Sequence, residues 1–427
     1  MRMIMTGDSF IARRIPDKDA RAAELRQWMA DADVRFTNLE ITTHKKEGYP
    51  SPVSGGTWAM ASPSVLDDLK DYGFNLYNWA NNHTMDYLYG GLKRTEEELD
   101  AREMVHAGAG QSLASASEPR YIETEKGRAA LIGATSTFQD FWRAGDGNAY
   151  IPGRPGVNPL RYEEMIHISK EEMETLVSIS NRTHLDAAKE LDIKEGFLPP
   201  DPAGRFAFAG RTFKEGDRAF IERRPHPADM ERLIRTVKEA ERQADYVIVS
   251  LHSHEMDGVD KNKPADFIKE AARNLIDAGA HCIVGHGPHV VRGIEIYQGK
   301  PIFYSLGNFI FQNDSVTHLP RDFFEKYRMD ADSSAADGFD KRSAGGTKGL
   351  GVNPFVWESV MAGMSWEGGR LTGIELQPID LGFDEPRYRK GWPELSRNEE
   401  VLQRIQRLSR EFHTEIMIEN GKGYVQL

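Results

Sequence analysis

Over the first 135 residues, short apolar runs alternate with stretches in which apolar residues recur every three or four positions. The runs predict strands at Met3–Thr6, Val34–Asn38 and Asn75–Ala80. The spaced patterns predict helices over Asp19–Ala30, Ser62–Tyr72 and Gly91–Arg102, with Ser62 as cap and Pro63 in the first turn of the second. Tyr121–Glu125 and Ala129–Ala134 flank Lys126-Gly127 and read as a hairpin.

The pattern changes between Phe138 and His226. Glycine- and proline-rich pieces flank helical stretches with no strand between them, which reads as an insertion (138–226) long enough to form a lid. Alternation resumes with helix Ala228–Ala244, strand Tyr246–Leu251, helix Pro264–Ala278 and strand His281–Val284. Gly293–Gln298 and Lys300–Phe311 read as a hairpin. Residues 314–351 are rich in Gly, Ser and Asp and read as a mobile loop. Val356–Trp366 and Arg370–Pro378 read as closing strands, followed by helix Arg397–His413. Strands and helices interrupted by hairpins imply α/β layers in one domain over 1–427, and not a purely parallel sheet.

Charge changes the picture only by exclusion. The net charge is −12, with no lysine- and arginine-rich run, which argues against a nucleic-acid partner. An acidic protein that binds an anion needs a local basic patch. The single cysteine, Cys282, allows no disulfide within the chain and fits a reducing cytoplasm. No stretch reaches the roughly 20 apolar residues of a spanning helix.

The candidate chemistry sits where strands end. Asp8 follows Gly7 at the end of the first strand, and Glu40 ends the second beside Asn38. Asn81-Asn82-His83 ends the third, so that an Asn carbonyl can ligate a metal while His83 stands beside it for acid or oxyanion work. His252 and His254 follow an apolar strand and, two apart, share a face if it continues. A metal can take one or both; His252 is assigned to the metal and His254 to the substrate. His286 and His289 lie in a Gly/Pro-rich loop after another buried strand. Oxygen and imidazole ligands from several strand ends suit a divalent-metal phosphoesterase-type site.

In this order the segments resemble the CapA/PgsA family of capsule-synthesis, poly-γ-glutamate-associated proteins, relatives of the calcineurin-like metallophosphoesterases. The resemblance covers about residues 1–312 and includes Thr6-Gly7-Asp8, Asn38-Leu39-Glu40, Asn81-Asn82-His83, Gly285-His286-Gly287-Pro288-His289 and Tyr304-Ser305-Leu306-Gly307-Asn308-Phe309. It implies a four-layer α-β-β-α sandwich with the site at one sheet edge. The chain departs from the phosphoesterase pattern at three points. Phe10 stands where Asp-x-His has its histidine, Glu40 replaces an Asp, and Gly-His-x-His is stretched by one residue.

The expected function is a CapA-like, metal-dependent hydrolase of an anionic peptide-like (poly-γ-glutamate-type) or phosphoester substrate. Asp8, Glu40, Asn82, His252, His286 and His289 would hold a divalent cation (Mn, Zn, Fe or Mg), one firmly and a second weakly or not at all. Asp8 and His83 would be catalytic. Arg154 and Arg161 in the insertion, with His254, would meet the substrate, since a guanidinium fork suits carboxylate or phosphate. A peptide epimerase using Asp-His acid/base chemistry on the same fold is the first alternative, and a non-catalytic capsule-polymer-binding accessory the second.

Overall fold

The computed structural model describes residues 1–16, 19–330 and 332–427. Among these, two mixed sheets make up most of a mixed α/β architecture. In the larger, Arg2–Phe10 lies between the antiparallel strand Glu358–Glu367 and the parallel strand Val34–Leu39, which leads on to Leu76–Asn78 and His106–Ala107. Arg370–Asp380 and the hairpin Ile416–Glu419/Lys422–Val425 extend it on the other side. The smaller sheet runs Ile294–Tyr297, Lys300–Phe303, Cys282–His286, Tyr246–His252, Gly127–Thr135, Arg120–Thr124.

Alternation along the strands decides what each sheet packs against. Met3, Met5, Val34 and Phe36 share one apolar layer with Leu131, Ile248, Cys282 and Val284 of the smaller sheet. Ile4 and Leu39 turn the other way, toward Leu25 and Met29 of helix Ala20–Met29 and Leu66 of helix Val65–Asp71. Val247, Val249 and Ile283 meet Leu233 and Val237 of helix Pro227–Glu241 and Phe267 and Leu275 of helix Asp266–Asp277. Cys282 is a buried core residue; burial pushes its thiol pKa up, so it packs and does not act as a nucleophile. No helix among the described residues is long and apolar enough to cross a membrane.

The stretch Lys300–Phe311, expected as one strand, is two strands in different sheets. Lys300–Phe303 pairs with Cys282–His286, whereas Asn308–Phe311 runs parallel to Arg2–Phe10. Tyr304–Gly307 carries the chain from one sheet to the other. Gly307, at φ +80°, makes the turn, and the Asp8 N–H donates to its carbonyl at 3.0 Å. Gly7 lies so close that a Cβ there would stand 1.8 Å from the same oxygen. An unbroken apolar run conceals such a crossover, because both halves are buried.

The insertion also differs from expectation. Besides helices Lys170–Thr183 and Ala187–Glu195 it contains a four-stranded sheet, ordered Phe206–Phe208, Arg211–Glu215, Tyr162–Ile168, Phe220–Pro225. Three of these strands are rich in charge, and nearly all their residues are half-buried or exposed, so no apolar alternation announces them. Cross-strand ion pairs contribute to their pairing, as Glu164 accepts from both Arg211 and Arg223. The sheet leans on helix Asp266–Asp277, where Tyr162 stacks on Phe267 at 4.5 Å. Residues 314–351, expected as a mobile loop, hold helices Arg321–Lys326 and Ala335–Arg342, seated by buried Phe323 and Phe339. Ser62 is not a cap: its helix starts at Val65, and the Ser62 carbonyl accepts in the turn before it.

Two outcomes follow for stability. Gly7→Ala forces a methyl group onto the Gly307 carbonyl and should cost about 3 kcal/mol, read as a lower urea midpoint. The second concerns Asp229, which is fully buried and accepts from Arg161 and Arg232. Burial pushes its carboxyl up, but the two arginines outweigh burial and bring the pKa down to about 2. The folded value lies below the unfolded one, so the contribution, about 2 kcal/mol, is complete above roughly pH 4 and lost as pH falls through 2. Asp229→Asn should be less stable at neutral pH and should show a shallower loss of stability between pH 4 and 2. Parallel acid profiles for variant and parent would contradict this.

Candidate metal centre

Register brings the strand-end residues together. In the larger sheet Asp8 pairs with Asn308 on one side and Asn38 on the other, and Asn38 pairs with Asn78. In the smaller sheet His252 pairs with Thr135 and His286. Each row lies at the carboxyl ends of parallel strands, where the chain leaves the sheet and side chains can gather. Asp8, Glu40, His252 and His286 are all completely buried.

Two groups of three ligand-type residues result. Asp8, His252 and His286 form one, and Glu40, His254 and His289 the other; within each, the candidate ligand atoms lie within 4.8 Å of one another. Asp8 Oδ1 is 3.7 Å from His252 Nδ1 and 3.4 Å from His286 Nδ1. The two Nδ1 atoms are 2.9 Å apart, and His252 Nε2 is 3.2 Å from His254 Nε2. The groups adjoin, since Glu40 Oε1 is 3.7 Å from His252 Nε2 and His289 Nδ1 is 3.6 Å from Asp8 Oδ2.

The donor set fits a divalent cation. Both carboxylate oxygens of Glu40 are buried without a hydrogen-bond partner, an expensive state for an isolated carboxylate. Burial, then the charges of Asp8 and Asp86, push the Glu40 carboxyl well up. Burial and neighbouring histidines push His252 and His254 well down, and burial brings His289 to about 4, so these imidazoles stand neutral with lone pairs to offer. For Asp8, burial is outweighed by its hydrogen-bond partners, the His286 ring first and the Asn38 amide with it, and its carboxyl is held down. Neutral imidazoles are the state in which histidine ligates a metal, and a cation beside Glu40 would favour its ionised form.

Surrounding groups fix these ligands. Asn38 Oδ1 accepts from Asn78 and Asn81, so its amide N–H turns to Asp8 Oδ1 at 2.7 Å. The Gly287 N–H donates to Asp8 Oδ2 at 3.0 Å. Ser250 Oγ meets His286 Nε2 at 2.6 Å, and Asn308 Oδ1 meets His289 Nδ1 at 2.9 Å. His289 holds a left-handed backbone, φ 59°, strained for a non-glycine residue and stabilised here by Asn308 and the Phe311 ring. Asn82 Nδ2 donates to the Gly55 carbonyl, and its buried Oδ1 is unpaired, as a neutral oxygen ligand would be.

His83 is held by a residue that the sequence reading passed over. Its Nδ1 meets Asp86 Oδ2 at 2.7 Å, and that carboxylate also accepts from the Ala59 N–H. Burial pushes the Asp86 carboxyl up, partly opposed by His83. The spacing His83-x-x-Asp86 is visible in the sequence and was the available signal. The Phe10 ring meets His83 edge-on at 5.2 Å, so it shapes the pocket where a histidine was expected. Asn78 and Ser250 carried no signal, and the motif that includes Asn38 did not show its task, because these roles depend on register between distant strands.

A cavity of about 260 Å³ opens beside His83 and His289. Arg154 and Arg161, expected at the substrate, do not line it. Arg161 makes a fork to Asp229, and Arg154 Nε donates to the Arg143 carbonyl on the surface.

Comparison with known proteins places the chain in a family. The family model described as bacterial capsule synthesis protein PGA_cap matches residues 2–313. A Sinorhizobium fredii protein, "Uncharacterized protein y4sH", is 34% identical over 439 residues, covering 100% of this chain and 93% of its own. "PGA biosynthesis protein CapA" of Bacillus subtilis is 32% identical over 57% of this chain and 44% of its own length. "Capsule biosynthesis protein CapA" of Bacillus anthracis is 23% identical over 73% of this chain and 60% of its own. The chain therefore belongs to the bacterial capsule synthesis protein PGA_cap family.

Proposed function

We propose that the chain is a CapA-like, metal-dependent hydrolase acting on an anionic peptide-like, poly-γ-glutamate-type substrate or on a phosphoester. The observation that carries this reading is the unpaired, buried Glu40 carboxylate set among neutral histidines, next to a cavity edged by His83. We read the two sheets and their outer helices as the four-layer sandwich of calcineurin-like metallophosphoesterases. The names of the two Bacillus relatives support the polymer class of substrate.

Asp8, His252 and His286 would hold one cation and Glu40, His254 and His289 a second, with Asn82 offering a neutral oxygen. This shifts His254 from the substrate to the metal and favours two cation positions over the single firm one expected from Phe10. When bound, a divalent cation supplies Lewis acidity and brings the pKa of water down toward neutrality. Asp8 and Glu40 set the charge of the pocket, and Asn38, Gly287 and Ser250 hold the ligands in place. His83, tied through Nδ1 to Asp86, presents Nε2 to the cavity and can hand a proton to a leaving group there.

Metal analysis after dialysis should find two equivalents per chain, and Glu40→Gln should retain fewer. Chelator should abolish hydrolysis of bis(p-nitrophenyl) phosphate or γ-glutamyl-p-nitroanilide. A metal-free protein that hydrolyses neither probe but exchanges the α-hydrogen of a γ-glutamyl peptide in D2O would instead favour the acid/base epimerase. His83→Ala should lower kcat by roughly 10²–10⁴-fold while keeping its metal; an unchanged kcat would remove His83 from the chemistry.

A further inference from the structure

The cavity beside His83 and His289 has a wall that the proposed chemistry leaves unused. Phe10, His83, His289 and Phe311 line it on the side of the metal centre, and Lys326, Arg342 and Lys348 also face it. These three cations lie beyond residue 313, where the family match ends. Arg342 is already engaged: it bonds Thr57 Oγ1, pairs with Asp314 and lies over the Phe339 ring at 4.9 Å. Among the described residues, the ion pairs of this segment join Arg321 to Glu325, Arg342 to Asp314 and Arg387 to Asp340, and leave out Lys326 and Lys348. Two ammonium groups at one cavity, with no ion pair among the described residues, form a local anion-attracting patch on a chain of net charge −12. Gly55, Gly56, Gly349 and Gly351 also line it, so that a ligand can approach bare backbone, and the carboxylate of the lining, Asp314, is taken up by Arg342.

Size narrows the ligand. A volume of about 260 Å³ falls below the usual range for drug-sized ligands, roughly 300–1,000 Å³, and suits one or two residues. We infer that Lys326 and Lys348 hold an anionic group of the substrate away from the reacting bond, so that the site takes a small anion or the terminal unit of a chain. The inference rests on the hydrolase reading only for where the reacting bond lies. The recognised chemistry is a carboxylate or a phosphate, since ammonium groups act as point charges for either.

Calorimetric binding tests this without turnover. The metal-loaded protein is titrated with di-γ-glutamate and, separately, with glycerol 3-phosphate, each at low and high salt. The double variant Lys326→Ala/Lys348→Ala should bind the favoured probe roughly 10–100-fold more weakly. It should also lose most of the salt dependence while keeping the parent's metal content and circular dichroism. Both lysines are exposed, and Lys→Gln variants at each position give a second pair should the double variant misfold. The probe that loses affinity identifies the anion class. Unchanged binding of both probes, or no binding of either by the parent, overturns the subsite. A γ-glutamate hexamer amidated at its terminal carboxylates that binds as well as the free-ended one overturns the chain-end reading. Lysine-dependent binding without hydrolysis would retain the subsite and remove the hydrolase, whereas hydrolysis with lysine-independent binding would do the reverse.

Discussion

Burying an ionised carboxylate costs several kcal/mol unless its lone pairs are met, and Asp8 is buried completely. Its partners come from both halves of the molecule. Asn38, next to it in the larger sheet, donates to one oxygen, and the Gly287 N–H, just past the smaller sheet, donates to the other. The Asp8 N–H reaches the Gly307 carbonyl on the segment that crosses between the sheets. One residue thus ties three chain segments at the sheet ends, and His252, His286 and His289 take their places around it. If one of these strands slipped by a single residue in its sheet, its period of two would turn its side chains away from the pocket.

That dependence on register explains what the sequence could and could not reveal. Asp8, Glu40, His83, His252 and His286 were legible because each ends an apolar run, and a strand end exposes its last side chains to the same edge. Asn38 was visible as part of a motif, but its task, relaying Asn78 and Asn81 to Asp8, exists only once three strands are in register. The crossover at Tyr304–Gly307 was hidden inside one continuous hydrophobic stretch. The four-stranded insertion escaped for the opposite reason: three of its strands are rich in charge and mostly half-buried or exposed, and ion pairs such as Glu164 with Arg223 join them across the sheet. Arg154 and Arg161 were plausible anion binders by type alone. Burial of Asp229 recruits Arg161 instead, because a buried carboxylate needs its partner more than a cavity does.

The pocket itself is electrostatically unfinished. Four imidazoles and two carboxylates crowd together with ring nitrogens as close as 2.9 Å. Burial pushes three of the histidines toward neutrality and Glu40 toward its protonated form. A folded protein rarely gathers so many acceptors and leaves Glu40 without a donor unless a cation completes the set. Phe10 is compatible with this. An aromatic edge against His83 keeps that side of the pocket apolar, while His254 and His289 bring imidazoles to Glu40 from the smaller sheet's loops.

The chain also divides its labour along its length. Residues 2–313, the part matched by the family model, supply every member of the two ligand groups and the His83–Asp86 pair. The later segment supplies the strand Glu358–Glu367 that flanks Arg2–Phe10, and Lys326, Arg342 and Lys348 at the cavity. The two parts are coupled at Asn308, whose side-chain oxygen steadies His289 while its amide N–H reaches the Val356 carbonyl just before that strand. A change in the later segment can therefore alter what enters the cavity through its lysines. It also reaches the candidate ligands, through Asn308 and through the Phe311 ring, which meets both His289 and Trp357, so recognition and chemistry are linked at this wall of the cavity.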